Sequence, residues 1–573
     1  MPKVTVGRDE FFRELEIQMT DDEFRDLCFE FGLELDDVSV EKDGNGVDQV
    51  KYKVEVAANR YDLLCFEGLS QALRVFLGKQ PMPEYRLLPG DQTMRVEAGT
   101  SQIRPFVVCA VLRNLNLTES SYHSFIDLQE KLHQNICRKR TLVAIGTHDL
   151  DTLQGPFTYK ALRPQEIRFR ALNQPEEKSA EELMALYLND PRMKQYVPII
   201  QSSPVYPVIF DSNGVVLSMP PIINGEHSKI TLKTRNVFIE CTATDKHKAE
   251  IVLNTIIAAF SQYCESRYSV ETVNVVYESH AETSPQFLQH SMDVEPRYVN
   301  SLIGIDISPA SMQDLLKKMG VNSSLSGDLL KVQVPITRTD IIHACDIAED
   351  IGIAYGYNKI AKILPKTLTV GKEQPLNLVS DLLRTEVGLS GYTEILTFVL
   401  HSFEFNYTLL RRPVDELAVE ISNPKALEFQ MPRTTLLPGI LRTIATNTKQ
   451  QLPIKVFEIS DVVVRDDSTD VKAKNRRFLG AGYCGNTSGL EHIHGLFDTV
   501  MKQLDFKWKE DYSLVPSDNP TFFPKRQAEI IVKGQKVGIF GIIHPEVLSN
   551  FDIGFPVSAL EVDIQILSSL SRV

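Results

Sequence analysis

The stretch Asn236-Val237-Phe238-Ile239-Glu240-Cys241, with Thr244-Asp245 and the run to Cys264 behind it, decides the fold class. The first six residues read as a strand, and Thr244-Asp245 opens a long helix that ends near Cys264. A strand feeding straight into a helix marks a mixed α/β segment. Its surroundings agree. Phe106 to Leu112 is an apolar run of buried-strand type. Thr118 can cap a helix carrying Phe125, Leu128, Leu132 and Ile136, and Arg138-Lys139-Arg140 ends it, where cations suit the helix dipole. Leu142 to Ile145 is a short strand followed by Gly146-Thr147-His148-Asp149. Tyr206 to Ser218 reads as a hairpin with Asn213-Gly214 at its turn. Residues 172–197 are polar and helical in flavour, an excursion from the core. This segment covers residues 95–275.

Three further segments flank it. Residues 1–88 read as an α+β domain: Phe24, Leu27, Cys28 and Phe31 share one helix face that Gly32 can terminate, and Lys51 to Val56 alternates as a half-buried strand does. Gly78 to Gly90, with Pro81, Pro83 and Pro89, reads as a linker. Residues 285–365 form a small segment in which Ser308-Pro309 starts one helix and a second begins near Asp340. Residues 375–573 are rich in strands, among them Lys455 to Ile459, Ala528 to Val532 and Val537 to Ile543, the last running into His544-Pro545.

The 573 residues are 43% apolar and 24% charged, which excludes a disordered chain or a small disulfide scaffold. Lys and Arg number 61 against 75 Asp and Glu, a net charge of −14, so bulk charge cannot coat nucleic acid and any RNA contact needs a local basic patch. The eight cysteines contain no C-x-x-C pair and read as reduced thiols of a cytoplasmic protein without structural zinc. Neither a signal peptide nor an apolar run of membrane-spanning length is expected.

Asp346, Glu349 and Asp350 share one face of a predicted helix, with Asp340 near its start. Four gathered carboxylates suit Mg²⁺ or Ca²⁺, whereas ordinary helix capping accounts for the same residues. Asp245, between strand and helix, can hold a substrate amine or position a water, or simply cap the helix. His148 can shuttle a proton or serve as a satisfied structural histidine. Arg433, in Arg433-Thr434-Thr435-Leu436-Leu437, can grip a carboxylate or phosphate, and Pro438-Gly439 breaks the chain behind it. No G-x-S-x-G, phosphate loop or G-x-G-x-x-G is present.

The ordered set Glu30 to Asp36, Asn59 to Leu64, Ala144 to Leu150, Pro220 to Asn224, Thr337 to Asp346, Ser422-Asn423-Pro424, Arg433 to Leu437 and His544-Pro545-Glu546 resembles phenylalanyl-tRNA synthetase β subunits of the cytosolic eukaryotic and archaeal type. The resemblance covers nearly the whole chain. It implies an α₂β₂ complex whose α subunit binds ATP and phenylalanine and charges tRNA(Phe). It implies a tRNA-editing domain over residues 95–275, which clears Tyr-tRNA(Phe). The small segment 285–365 becomes winged-helix-like and carries Mg²⁺ on Asp340, Asp346, Glu349 and Asp350. Residues 375–573 become an antiparallel-sheet, class-II-like module that is non-catalytic and serves dimerisation. After Arg526 the only arginine is Arg572, in no ATP-binding motif, which agrees with a degenerate copy. Asp245 is the first editing candidate, with His148, Ser218 and Asn224 lining the pocket and Arg138, Lys139 and Arg140 steering the tRNA. Bacterial members of the family carry a C-terminal anticodon-binding domain, and the resemblance to the eukaryotic type implies a chain without one. The rival readings are a scaffold subunit without hydrolysis and a free-standing hydrolase.

Overall fold

The computed structural model describes residues 2–571 except 43–45, 47, 288–289, 366 and 368, so Arg572 lies outside the described residues. The chain forms two compact units, Met1–Leu364 and Pro365–Val573. The architecture is mixed α/β and multidomain.

The first unit begins with a three-stranded antiparallel sheet in the order Lys3–Gly7, Asp48–Glu55, Glu34–Lys42. Helix Asp21–Phe31 starts at a capping box between Thr20 and Glu23 and stops at Gly32, whose φ of 88° is left-handed. Its buried face is Phe24, Leu27, Cys28 and Phe31, the expected set. The 78–90 stretch is not only a linker: Arg86–Leu88 pairs in parallel with Ser269–Glu271. Three residues between prolines are too few to show a period, and a strand 180 residues away supplies their partner.

Two sheets make the centre of the unit. The first has the order Arg86–Leu88, Ser269–Glu271, Phe106–Leu112, Val237–Ala243, Val143–Asp149. The second, seven-stranded, runs from Ile223–Asn224 through Val216–Met219, Tyr206–Phe210 and Phe157–Leu162 to Thr93–Val96, Val273–Val276 and Ala281–Ser284. Strand Val237–Ala243 is buried along its whole length and is paired antiparallel on both sides. Side chains alternate across a strand. Val237, Ile239, Cys241 and Ala243 pack with helices Glu119–Gln134 and Lys246–Phe260, while Phe238 packs against Phe157, Tyr159, Ile209 and Leu217 of the second sheet. Glu240 shares the face of Phe238 and so points between the sheets. Gly146-Thr147-His148-Asp149 does not follow a short strand but continues it, because each residue finds a partner on Val237–Ala243.

Residues 167–200 are more than an excursion. Helix Ala180–Tyr187 and Tyr196, Val197 and Ile200 enclose a separate apolar core with Ile167, Phe169 and Tyr206. Beyond it, Arg138-Lys139-Arg140 lies past the helix end at Gln134, in a turn with all three φ angles positive (45°, 53° and 65°). The small 285–365 segment has the antiparallel order His290–Val294, Leu329–Val334, Asn322–Ser326, with three helices. Its last helix is Ala344–Tyr355, capped by His343, so Asp340 precedes it by a full turn instead of opening it. Met319 and Ala354 join the core shared by the first two segments, which is why the three make one unit.

The second unit is a seven-stranded sheet in the order Thr393–Glu394, Ile454–Arg465, Ala473–Cys484, Val557–Asp563, Gln535–Ile543, Phe522–Val532, Tyr512–Pro516. All pairs are antiparallel except the first. Helices Pro375–Leu389, Leu490–Gln503 and Ile564–Leu570 cover one face, and Leu437–Thr446 and Pro545–Asn550 the other. Pro438-Gly439 does not break the chain; it sits in the first turn of Leu437–Thr446, where a missing N–H costs nothing. No helix among the described residues is long and apolar enough to cross a membrane.

Candidate functional site

A cleft of about 250 Å³ opens in the first unit between helix Glu119–Gln134, strand Val143–Asp149 and the Pro220–Gly225 segment. Ile126, Ile145, Ile222, Ile223 and Ile230 make its walls apolar. Of the polar residues that line it Glu240 is the most buried, its side chain 1% exposed. Ser218 Oγ donates to Glu240 Oε1 at 2.8 Å, and Oε2 has no partner. Burying a carboxylate oxygen without a donor is costly, so its presence in a cleft points to a ligand donor.

Sheet geometry puts the carboxylate there. Glu240 lies opposite Gly146 in the strand pair. A Cβ on Gly146 would stand 2.1 Å from Glu240 Oε1, 2.7 Å from Cδ and 2.9 Å from His148 Nε2. Only glycine leaves that space. Thr147 Oγ1 donates to Gln129 Oε1 at 3.3 Å on the cleft wall. The Ile145 N–H donates to His133 Nε2 at 3.0 Å, and burial lowers the His133 pKa to about 4, so the ring is neutral.

The structure gathers part of the expected constellation. Ser218 binds Glu240 directly, and Asn224 lines the cleft. His148 is fully buried behind Glu240, its Nε2 3.7 Å from Oε1 and its Nδ1 2.8 Å from Ser228 Oγ. Asp245 is elsewhere. It caps helix Lys246–Phe260, accepting from the Lys248 N–H at 3.1 Å and from Lys248 Nζ at 2.9 Å, and it does not line the cleft. The hydrogen bond from Lys248 holds its carboxyl below the usual range. Strand alternation explains the change: Glu240 lies on the inter-sheet face, whereas Asp245 falls past the strand end. The available signal was a lone carboxylate inside a strand with no other charged residue.

The three basic residues also divide. Arg138 and Lys139 are exposed. Arg140 turns inward: it donates to Ile222 O at 3.0 Å and stacks 4.1 Å from the Tyr196 ring centroid, fixing the cleft wall.

The acidic cluster does not assemble as a cage. Arg338, 4% exposed, donates to Asp340 Oδ2 at 2.8 Å and to Asp350 Oδ1 at 2.9 Å. Asp346 Oδ2 accepts from the Ile342 and His343 N–H groups, both at 2.8 Å, and Glu349 is exposed to solvent. Among the described residues no three His, Cys, Asp or Glu side chains are gathered to hold a metal. The expected Mg²⁺ set therefore does not fit this arrangement: a guanidinium stands where the cation would, and one carboxylate is committed to a helix cap. Arg433 has a similar internal role. It is fully buried, and the carboxylate it pairs with, at 2.8 Å, is that of Glu458.

Four family models match in chain order. The Phe-tRNA synthetase beta subunit B1 domain covers residues 1–79, the B3/4 domain 110–265, the tRNA synthetase B5 domain 292–357, and the phenylalanyl tRNA synthetase beta chain CLM domain 360–564. Phenylalanine–tRNA ligase β subunits from Drosophila melanogaster and Homo sapiens are each 50% identical to the chain; the alignments cover 99% and 98% of it, and 100% and 99% of those proteins. The chain belongs to the phenylalanyl-tRNA synthetase β-subunit family. The family is one of ligase subunits, and the chain is counted among them. A member from Arabidopsis thaliana, 47% identical over 99% of this chain and 100% of its own length, is named cytoplasmic. An N-terminal fragment of the β subunit from Pyrococcus horikoshii has the same fold, with a TM-score of 0.57 and 32% identity over 62% of this chain and 99% of the fragment.

Proposed function

We propose that the chain is the β subunit of a cytoplasmic α₂β₂ phenylalanine–tRNA ligase and that its 95–275 domain hydrolyses mischarged Tyr-tRNA(Phe). The observation that carries the editing reading is the unpartnered Glu240 Oε2 in the depth of an apolar cleft. A tyrosyl ring fills such walls and its phenol O–H donates to Oε2. A phenylalanyl ring leaves that oxygen dry and unpaired, at a cost of about 1–3 kcal/mol, or roughly 10–100-fold in selectivity. An apolar synthetic pocket cannot reject the added hydroxyl so strongly, which gives a second pocket its use. In the reaction a water oxygen bonds to the acyl carbon, the bond to the ribose oxygen breaks, and that oxygen leaves with a proton. Arg138 and Lys139, exposed beside the cleft, suit the acceptor-end phosphates.

ATP and phenylalanine bind at the α subunit in this reading, with residues 1–88 as an α+β domain, 285–365 as a winged-helix-like domain and 375–573 as a class-II-like module for assembly. Leu396 is 86%, Phe398 80% and Leu427 77% exposed, an apolar surface of the kind that partner subunits cover.

The test compares deacylation of Tyr-tRNA(Phe) by the complex carrying wild-type chain, Glu240→Gln or Asp245→Ala. Glu240→Gln should lose at least 10-fold with Phe-tRNA(Phe) synthesis intact, and Asp245→Ala should stay near wild type. Full clearance by Glu240→Gln removes the site; absence of clearance in the wild type leaves the scaffold reading.

A further inference from the structure

Three successive residues, Arg138, Lys139 and Arg140, hold positive φ angles of 45°, 53° and 65°. Left-handed backbone strains any residue with a Cβ, and a run of three persists only where the surroundings enforce it. We infer that Arg104 enforces it, as the positioning residue of a phosphate clamp: it locks this turn so that Arg138 and Lys139 stand free at the cleft rim for the phosphate of the tRNA's 3′-terminal nucleotide, while Arg140 stays in the wall. The inference rests on the editing reading of the cleft and adds how the acylated end is held there.

Arg104 is 1% exposed, and the hydrogen bonds of its guanidinium all go to backbone carbonyls. One nitrogen, Nη1, donates to Arg140 O at 3.3 Å and to Thr141 O at 3.2 Å. The other, Nη2, donates to Thr242 O at 2.8 Å, on strand Val237–Ala243. A single side chain thus ties the end of the turn to a strand that is paired on both sides. Arg104 is itself fixed: its N–H donates to Thr100 O at 2.8 Å and its carbonyl accepts from the Tyr159 O–H at 2.9 Å. Burying a cation among dipoles is costly, and an apolar side chain would fill the space at less cost, so the guanidinium has a use that packing does not supply.

Two further bonds complete the turn. The Lys139 N–H donates to His133 O at 2.7 Å, and Thr141 Oγ1 donates to Arg138 O at 2.7 Å. The Arg140 side chain is committed, to Ile222 O, the Tyr196 ring and Glu130 at 3.7 Å. Arg138 and Lys139 are exposed, and their side chains have no partner among the described residues. With Arg104 beneath them they form a local basic patch on a chain of net charge −14. An ester held in the cleft leaves its ribose at the mouth, and the phosphate of that nucleotide follows at the rim.

The experiment uses the complex of the full chain with its α partner and measures kcat and KM for Tyr-tRNA(Phe) deacylation between about 50 and about 200 mM salt. Arg138→Ala with Lys139→Ala should raise KM roughly 10-fold, leave kcat within about 2-fold, and reduce the slope of log(1/KM) against log[salt] by about 0.7, the value of one single-strand phosphate contact. Arg104→Gln should do the same, and in the doubly substituted background it should add less than about 2-fold, because it acts through those two side chains. A merely structural Arg104 would lower kcat and thermal stability in both backgrounds and leave the salt slope at its wild-type value. That result, or a wild-type KM for Arg104→Gln or for the double variant, overturns the clamp, while a Glu240→Gln defect keeps the site. Absence of clearance by the wild type overturns both the editing reading and the clamp. If Arg104→Gln does not fold, Arg104→Lys decides: it keeps the charge without the fork that spans turn and strand, so KM should still rise at least about 3-fold with a reduced slope, and wild-type values refute the role of Arg104.

Discussion

Gly146→Ala gives the most direct probe of how the fold presents the Glu240 carboxylate. The new methyl would lie 2.1 Å from Oε1 and 2.7 Å from Cδ, so the carboxylate must retreat by about 1.3 Å to reach ordinary contact. The backbone cannot yield, because Gly146 is paired to Glu240 in the sheet and strand Val237–Ala243 is itself held from both sides. A shift of that size ends the 2.8 Å bond from Ser218 Oγ. Losing a hydrogen bond to a charged acceptor costs about 1.5–3 kcal/mol, and steric strain in a packed interior adds about 1–3 kcal/mol. The variant should therefore be less stable by roughly 2.5–6 kcal/mol, and a reading group misplaced by about 1 Å should lower Tyr-tRNA(Phe) clearance on the order of 100-fold. Urea denaturation of the full chain and deacylation by the complex measure the two effects. Because the severest clash is with Glu240, and His148 Nε2 at 2.9 Å is only marginally too close, Gly146→Ala should cost less in a Glu240→Ala background. Equal costs in both backgrounds, or wild-type clearance by Gly146→Ala, would refute the cross-strand argument.

Two further outcomes follow from charge and burial. His133 is buried neutral, with its pKa lowered from 6.5 to about 4, so between those values the unfolded chain binds the extra proton; stability should fall as the pH drops through this window, and His133→Gln should flatten that part of the denaturation profile. Arg338 joins Asp340 to Asp350, and Arg338→Met should cost about 3–5 kcal/mol by leaving the buried Asp350 without its ion-pair partner and Asp340 with only Arg60, 3.9 Å away. Treating the free wild-type chain with EDTA should leave its melting temperature unchanged; a drop that Mg²⁺ reverses would disprove the arrangement.

Much of the fold was legible in local sequence. Helix starts at Thr20, Thr118, Ser308 and Asp245 follow from side chains that reach a backbone N–H three residues on, and those bonds need no distant partner. The stop at Gly32 follows from a backbone angle that glycine adopts without a Cβ penalty. Periodicity likewise marked Phe106–Leu112 and the burial of Phe24, Leu27, Cys28 and Phe31, since one face of an element is a property of spacing alone. The ordered motifs were enough for the family resemblance, because each has its place along one chain.

The tertiary structure decided what those residues do. Asp245 and Glu240 are both carboxylates on one strand-to-helix segment, and no local rule separates a helix cap from a cleft base. Pairing with Val143–Asp149 and the facing second sheet make the difference: they enclose Glu240, supply Ser218, and require glycine at 146. The same holds for Asp340, Asp346, Glu349 and Asp350, whose spacing suggests one shared cation. Arg338, folded back between two of them, takes that place, and the early helix cap takes a third. Local hydrogen bonds and periodicity are written in neighbouring residues, whereas a buried charge is settled by whichever distant group reaches it in the fold.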